Sequence, residues 1–122
     1  MADSVRDIGG VKVAFADRDG RPALSERDAS DLVGLAMEHG ARWLAIPAER
    51  LGDEFFRLAS GVAGLVTQKF VNYGVGLAVI GNIAEHLDRS KPLRDYVYEC
   101  NRGRHVWFLE SDVALEAKLE GR

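Results

Sequence analysis

Five consecutive residues, Gly76-Leu77-Ala78-Val79-Ile80, carry no polar side chain. A half-buried strand alternates polar with apolar residues, so this run predicts an interior strand covered on both faces. Strands of that kind are parallel, and each needs a crossover helix to reach its neighbour. The rest of the chain supplies both. Arg42-Trp43-Leu44-Ala45-Ile46, ended by Pro47, is a second apolar run, and His105-Val106-Trp107-Phe108-Leu109 is a third. Val11-Lys12-Val13-Ala14-Phe15-Ala16 is rich in valine and phenylalanine and reads as another strand. Gly9-Gly10 can turn the chain back from a short strand between Val5 and Ile8, which makes one antiparallel pair. Asp17-Arg18-Asp19-Gly20 then forms a turn, and Arg21 to Leu24 adds a short extended piece interrupted by Pro22.

Helix signals fill the gaps. Ser25 is placed as an N-cap, with Glu26 and Asp28 in the first turn and Gly40 closing the helix after His39. The longest helical periodicity runs from Gly52 to Gly74 and predicts a central helix that closes at Gly74 and begins either as early as Asp53 or nearer Ser60. Phe55, Ala59, Val62, Val66, Phe70 and Tyr73 form its apolar stripe, with Arg57, Gly61, Gly64, Gln68 and Asn72 opposite. After Gly81-Asn82, the segment from Ala84 to Arg89 reads as a loop. Ser90 caps the next helix, Pro92 falls in its first turn, and Leu93, Tyr96, Val97 and Cys100 make its apolar face. Gly103 ends it. Ser111 or Asp112 caps a final helix whose Val113, Ala114, Ala117 and Leu119 are available for burial. The sum is a single α/β domain over residues 1–122, with a mixed, mostly parallel sheet of four to five strands and about four helices.

Composition narrows the function classes. The net charge is -3, from 19 acidic and 16 basic residues that are interspersed along the chain, so no basic stripe marks a nucleic-acid binder. One cysteine, Cys100, cannot form an intramolecular disulfide and fits a reducing, cytoplasmic setting. No apolar run approaches the roughly 18 residues of a membrane span, and Met1 to Asp7 carry charges where a signal peptide needs an apolar core.

Several motifs together resemble a bacterial family of uncharacterised proteins, domain of unknown function 4180. These are Phe55-Phe56-x-Leu58, Gly61-x-Ala63-Gly64, Gln68-Lys69-Phe70-Val71-Asn72-Tyr73, Leu77-Ala78-Val79-Ile80-Gly81, and Leu93-Arg94-Asp95 leading to Glu99-Cys100-Asn101-Arg102-Gly103. They cover the chain from about residue 42 to residue 119. The resemblance implies no particular activity. The order of elements is also similar to the STAS domain, the fold of anti-sigma-factor antagonists. In those proteins a serine or threonine near the start of the helix after the third strand is the acceptor for a partner kinase, and phosphorylation weakens docking. Ser60-Gly61 stands at that place, but Leu58 and Ala59 occupy the positions where an acidic residue usually precedes the serine.

Two glycines inside a helix each cost about 1 kcal/mol relative to alanine. Close packing against another helix of the domain would explain Gly61 and Gly64, and so would docking of a partner helix. The leading expectation is a non-enzymatic regulatory or interaction module that docks a protein partner through Ser60, Gly61, Gly64, Thr67 and Gln68. For Ser60 the alternative is a helix serine bonded to its own backbone. A rival expectation is a small-molecule binding protein or enzyme with a pocket at the carboxyl ends of the strands, lined by Asn82, Glu99, Asn101 and Arg102. A third is a homodimer that covers one face of the sheet. No catalytic residue and no cofactor is assigned. Cys100 and His105 have the residue types of a thiol nucleophile and base, yet Cys100 falls on an apolar helix face. His39, His86 and His105 show no pair at metal-ligand spacing, and no phosphate loop follows a strand.

Overall fold

The computed structural model describes residues 4–20, 22–23 and 25–121. In chain order the elements are β1 (Ser4–Ile8), β2 (Val11–Phe15), α1 (Glu26–Glu38), β3 (Trp43–Pro47), α2 (Gly52–Phe56), α3 (Val62–Tyr73), β4 (Gly76–Ile80), α4 (Ala84–Arg89), α5 (Lys91–Arg102), β5 (Val106–Leu109) and α6 (Asp112–Glu120). The five strands form one sheet in sequential order. β1 and β2 are antiparallel and the other pairs are parallel, as the apolar runs require. Of the expected extended piece, Arg21 and Leu24 lie outside the described residues, and Pro22 and Ala23 between them form no strand.

Each parallel strand steps to its immediate neighbour, so the crossover helices accumulate on one face. There Leu44, Ile46, Leu77, Val79 and Phe108 pack with Leu32 of α1, Phe70 of α3 and Leu93 of α5. On the opposite face, Leu115 and Leu119 of α6 close over Ile8, Val13, Trp43, Ala45, Ala78 and Trp107. Burying a leucine or phenylalanine side chain of this kind contributes about 1.5–3 kcal/mol, so the two clusters fix which face each helix takes.

Serine caps begin three helices as their sequence positions indicate. The Oγ atoms of Ser25, Ser90 and Ser111 accept from the backbone N–H groups of Asp28, Leu93 and Ala114. Gly40 and Gly74 close α1 and α3 with φ of 67° and 70°.

Three expectations need correction. The stretch from Gly52 to Gly74 is two helices rather than one, because Arg57 is extended, Leu58–Ser60 is a single tight turn, and Gly61 takes a φ of 82°. The buried stripe of α3 is accordingly Ala63, Val66, Thr67 and Phe70, while Ala59 and Tyr73 are exposed. The segment Ala84–Arg89 is a short helix, begun by the Asn82 side chain accepting from the Ala84 N–H. In α6 the buried pair is Leu115 and Leu119, one helical turn apart, which leaves Val113 and Ala117 exposed.

Candidate functional site

The break at Gly61 decides what the start of α3 can present. Ser60 is exposed and stands just ahead of the helix, and its hydroxyl donates to the Glu54 carbonyl at 2.7 Å while accepting from the Val62 N–H at 3.2 Å. It thus ties α2 to α3 and satisfies one of the orphan donors of the new helix. Gly61 is required by its backbone conformation. Gly64 is not: it lies inside α3, and a Cβ built there would meet nothing within 4 Å. Intramolecular packing against this face, one of the two explanations for the glycines, is therefore absent among the described residues.

Along the same face, Leu65 and Gln68 continue the surface at helical spacing, and the Gln68 amide donates to the Asn72 side chain at 2.9 Å. Around α3, Leu65, Val71 and Tyr73 are 41%, 39% and 57% exposed, more large apolar side chains than any other helix exposes among the described residues. Thr67, expected on this surface, is instead buried, so the docking set must lose it. Its hydroxyl reaches the Ala63 carbonyl at 2.8 Å and the Tyr96 hydroxyl at 3.1 Å. Lys69 turns to the other side and pairs with Glu26 of α1 at 3.0 Å.

The four residues expected to line one pocket are split between the two ends of the sheet and do not meet. Asn82 is at the carboxyl ends, beside a small cavity of about 270 Å³ with Asp53, Phe56 and His86. Glu99 and Arg102 end α5 at the amino ends, where they form a loose exposed pair at 3.7 Å. Asn101 is engaged with the backbone: its amide donates to the Phe108 carbonyl at 3.2 Å and accepts from the Phe108 N–H at 2.7 Å. That double contact caps the free edge of β5.

Cys100 is half-buried beside Tyr96. Burial pushes its thiol up, and burial likewise pushes the Tyr96 phenol up to about 12, so neither group is activated as a nucleophile or base. His105 is exposed at the start of β5. Among the described residues, no group of three or more His, Cys, Asp or Glu side chains is arranged to hold a metal ion.

The residues that sequence reasoning missed fall into two groups. Leu65 sits on the glycine face, and its signal was the position one turn after Gly61. Arg42, Arg104 and Lys118 are gathered with Arg102 and His105 around a cleft at the amino ends of the strands. No sequence spacing announces that cluster, because it is made by three separate elements.

A protein-family model described as domain of unknown function (DUF4180) matches residues 8–119. No curated protein and no solved structure matches the chain. Among the described residues, no helix is long and apolar enough to cross a membrane.

Proposed function

The chain belongs to the DUF4180 family, and we propose that it is a non-enzymatic, regulatory interaction module of the bacterial cytoplasm that docks a helix of a protein partner on the exposed face of α3. Ser60, Gly61, Gly64, Leu65 and Gln68 form that face. The observation that carries the reading is Gly64: an exposed helix-interior glycine weakens α3 by about 1 kcal/mol, and nothing among the described residues uses the space it leaves. Two glycines three residues apart remove the side chains that would hold a second backbone away, and Leu65 beside them offers an apolar contact. A partner helix fits such a strip because its backbone can approach closely over the glycines while its apolar side chains cover Leu65.

The STAS resemblance adds a regulatory role for Ser60. Its exposed hydroxyl precedes the first turn of α3, where a phosphate would interact favourably with the helix amino terminus. The same phosphate would add about two negative charges to the docking strip and weaken the complex. The test is affinity purification of the tagged protein from its native cells, beside folded Ser60→Asp and Gly64→Leu variants, with mass spectrometry of the captured proteins and of Ser60. A partner held by the unaltered protein and lost from both variants supports the reading. A partner set unchanged by Gly64→Leu overturns it.

A further inference from the structure

The chain is acidic overall, with a net charge of -3. At the amino ends of the parallel strands, however, an open cleft of about 800 Å³ is lined by Arg42, Arg102, Arg104, His105 and Lys118 and, among the described residues, by no carboxylate. The cations come from the residue before β3, the end of α5 with its loop to β5, and the last turn of α6. The geometry points to this cleft as a binding site for a small anion that carries more than one phosphate charge.

Helix dipoles alone do not account for the cluster. α3, α5 and α6 all end at this rim, where Gly74, Gly103 and Gly121 line the cleft. Each carboxyl terminus carries roughly half a negative charge, so three of them present about 1.5 against four fixed positive charges. Arg102 makes a loose contact to Glu99, at 3.7 Å, and its guanidinium lies over the Tyr98 ring, 5.5 Å from the ring centre. Arg42 and Arg104 form no ion pair among the described residues. The surplus is therefore positive and available to a ligand.

Trp107 ties the floor of the cleft together. The Trp107 indole N–H donates to the Gly103 carbonyl at 2.9 Å, which fixes the loop that bears Arg104. The Lys118 ammonium lies over the same ring system, 4.9 Å from the ring centre. Trp107 thus contacts the Lys118 ammonium and ties down the backbone next to Arg104. Guanidinium groups offer a planar fork of donors that matches phosphate oxygens, and several such groups around one cavity select a multiply charged ligand over a monovalent one. The cavity has the size of small-molecule sites, which run from about 300 to about 1,000 Å³. Because the arginines are solvent-exposed, binding weakens as salt is raised.

The chain contains two tryptophans, and both line this cleft, so intrinsic fluorescence reports on it directly. The full chain is titrated at low ionic strength with inorganic pyrophosphate and with ADP, beside sodium chloride at matched ionic strength. Pyrophosphate gives a saturable change that chloride does not. Arg104→Gln weakens it roughly tenfold, as loss of one charge-assisted contact does, and Arg42→Glu combined with Arg104→Glu abolishes it. Arg89→Ala, on α4, titrates like the unaltered protein. Gly64→Leu does too, because α3 carries its docking strip at the opposite end from this cleft. Tighter binding of ADP than of pyrophosphate assigns part of the recognition to the nucleoside. The inference is overturned if pyrophosphate and chloride act alike, or if the arginine variants bind as the unaltered protein does. In that event the cations serve only the helix termini, and Arg104→Gln lowers stability without moving the titration.

Discussion

The indoles of Trp43 and Trp107 stack with ring centroids 4.0 Å apart, above the backbone of the strand that separates them. That strand is β4, and the residue paired with Trp43 is Gly76. A Cβ at Gly76 would lie 2.3 Å from the Trp43 ring, so the stack exists because this position has no side chain. The same glycine opens the apolar run that predicts the interior strand, and its packing role becomes visible only when the two tryptophans are seen to meet.

Gly76→Ala should therefore destabilise the protein by about 1–3 kcal/mol, the usual penalty for forcing a methyl group into a filled space. Urea unfolding followed by tryptophan fluorescence measures it. Stability equal to that of the unaltered protein would mean that the rings can part without loss.

The two glycines of the α3 strip should respond in opposite directions. Gly64→Ala relieves a helix-interior glycine in open space, and should stabilise by about 0.5–1 kcal/mol. Gly61→Ala forces a side chain into left-handed backbone, with φ of 82°, and should destabilise by about 1–2 kcal/mol. Thermal unfolding of both variants in parallel checks the sign. If Gly64→Ala also weakens partner docking, stability and function are opposed at that residue.

Asn101 pins the edge strand. Asn101→Ala leaves the Phe108 N–H and carbonyl without their side-chain partner, and should cost about 1–3 kcal/mol. Asn101→Asp keeps an acceptor for the N–H but sets a carboxylate against the Phe108 carbonyl, so it should also destabilise. Hydrogen exchange at Phe108 localises the effect, and unchanged protection there in both variants would remove Asn101 from this role.

Tyr96 should make stability fall at high pH. Its folded phenol is raised from 10.0 to about 12, chiefly by burial, so the unfolded chain releases the proton first. The stabilisation is complete below pH 10 and is lost as pH rises through about 12. Tyr96→Phe removes that contribution, and its stability should decline less steeply across this window. The difference in phenolate absorbance between the two proteins should titrate near pH 12. A difference titrating at 10.0 would contradict the buried setting.

Much of the fold is legible in the sequence because its signals are local. Ser25, Ser90 and Ser111 announce helix starts, Gly40 and Gly74 announce ends, and the apolar runs announce strands. The break between α2 and α3 is hidden because the spacing of Phe55, Ala59, Val62 and Val66 continues a helical period through it. The positive φ of Gly61 wins over that period. Thr67 reads as polar surface, but its hydroxyl is satisfied by Ala63 and Tyr96, which lets it enter the core. The basic cleft is not legible at all. Arg42, Arg104 and Lys118 are interspersed with acidic residues along the chain, and only the parallel sheet brings its amino ends and three helix ends together.

Site-specific photo-crosslinking tests partner docking on α3 most directly. A photoreactive residue is placed at Gln68 on the strip and, as a control, at Val113, which is 71% exposed on α6. Irradiation in native cells should give a discrete protein adduct from position 68 and none from position 113, and adding Gly64→Leu should abolish it. No adduct at position 68, or one unaffected by Gly64→Leu in a folded protein, would contradict docking on this face.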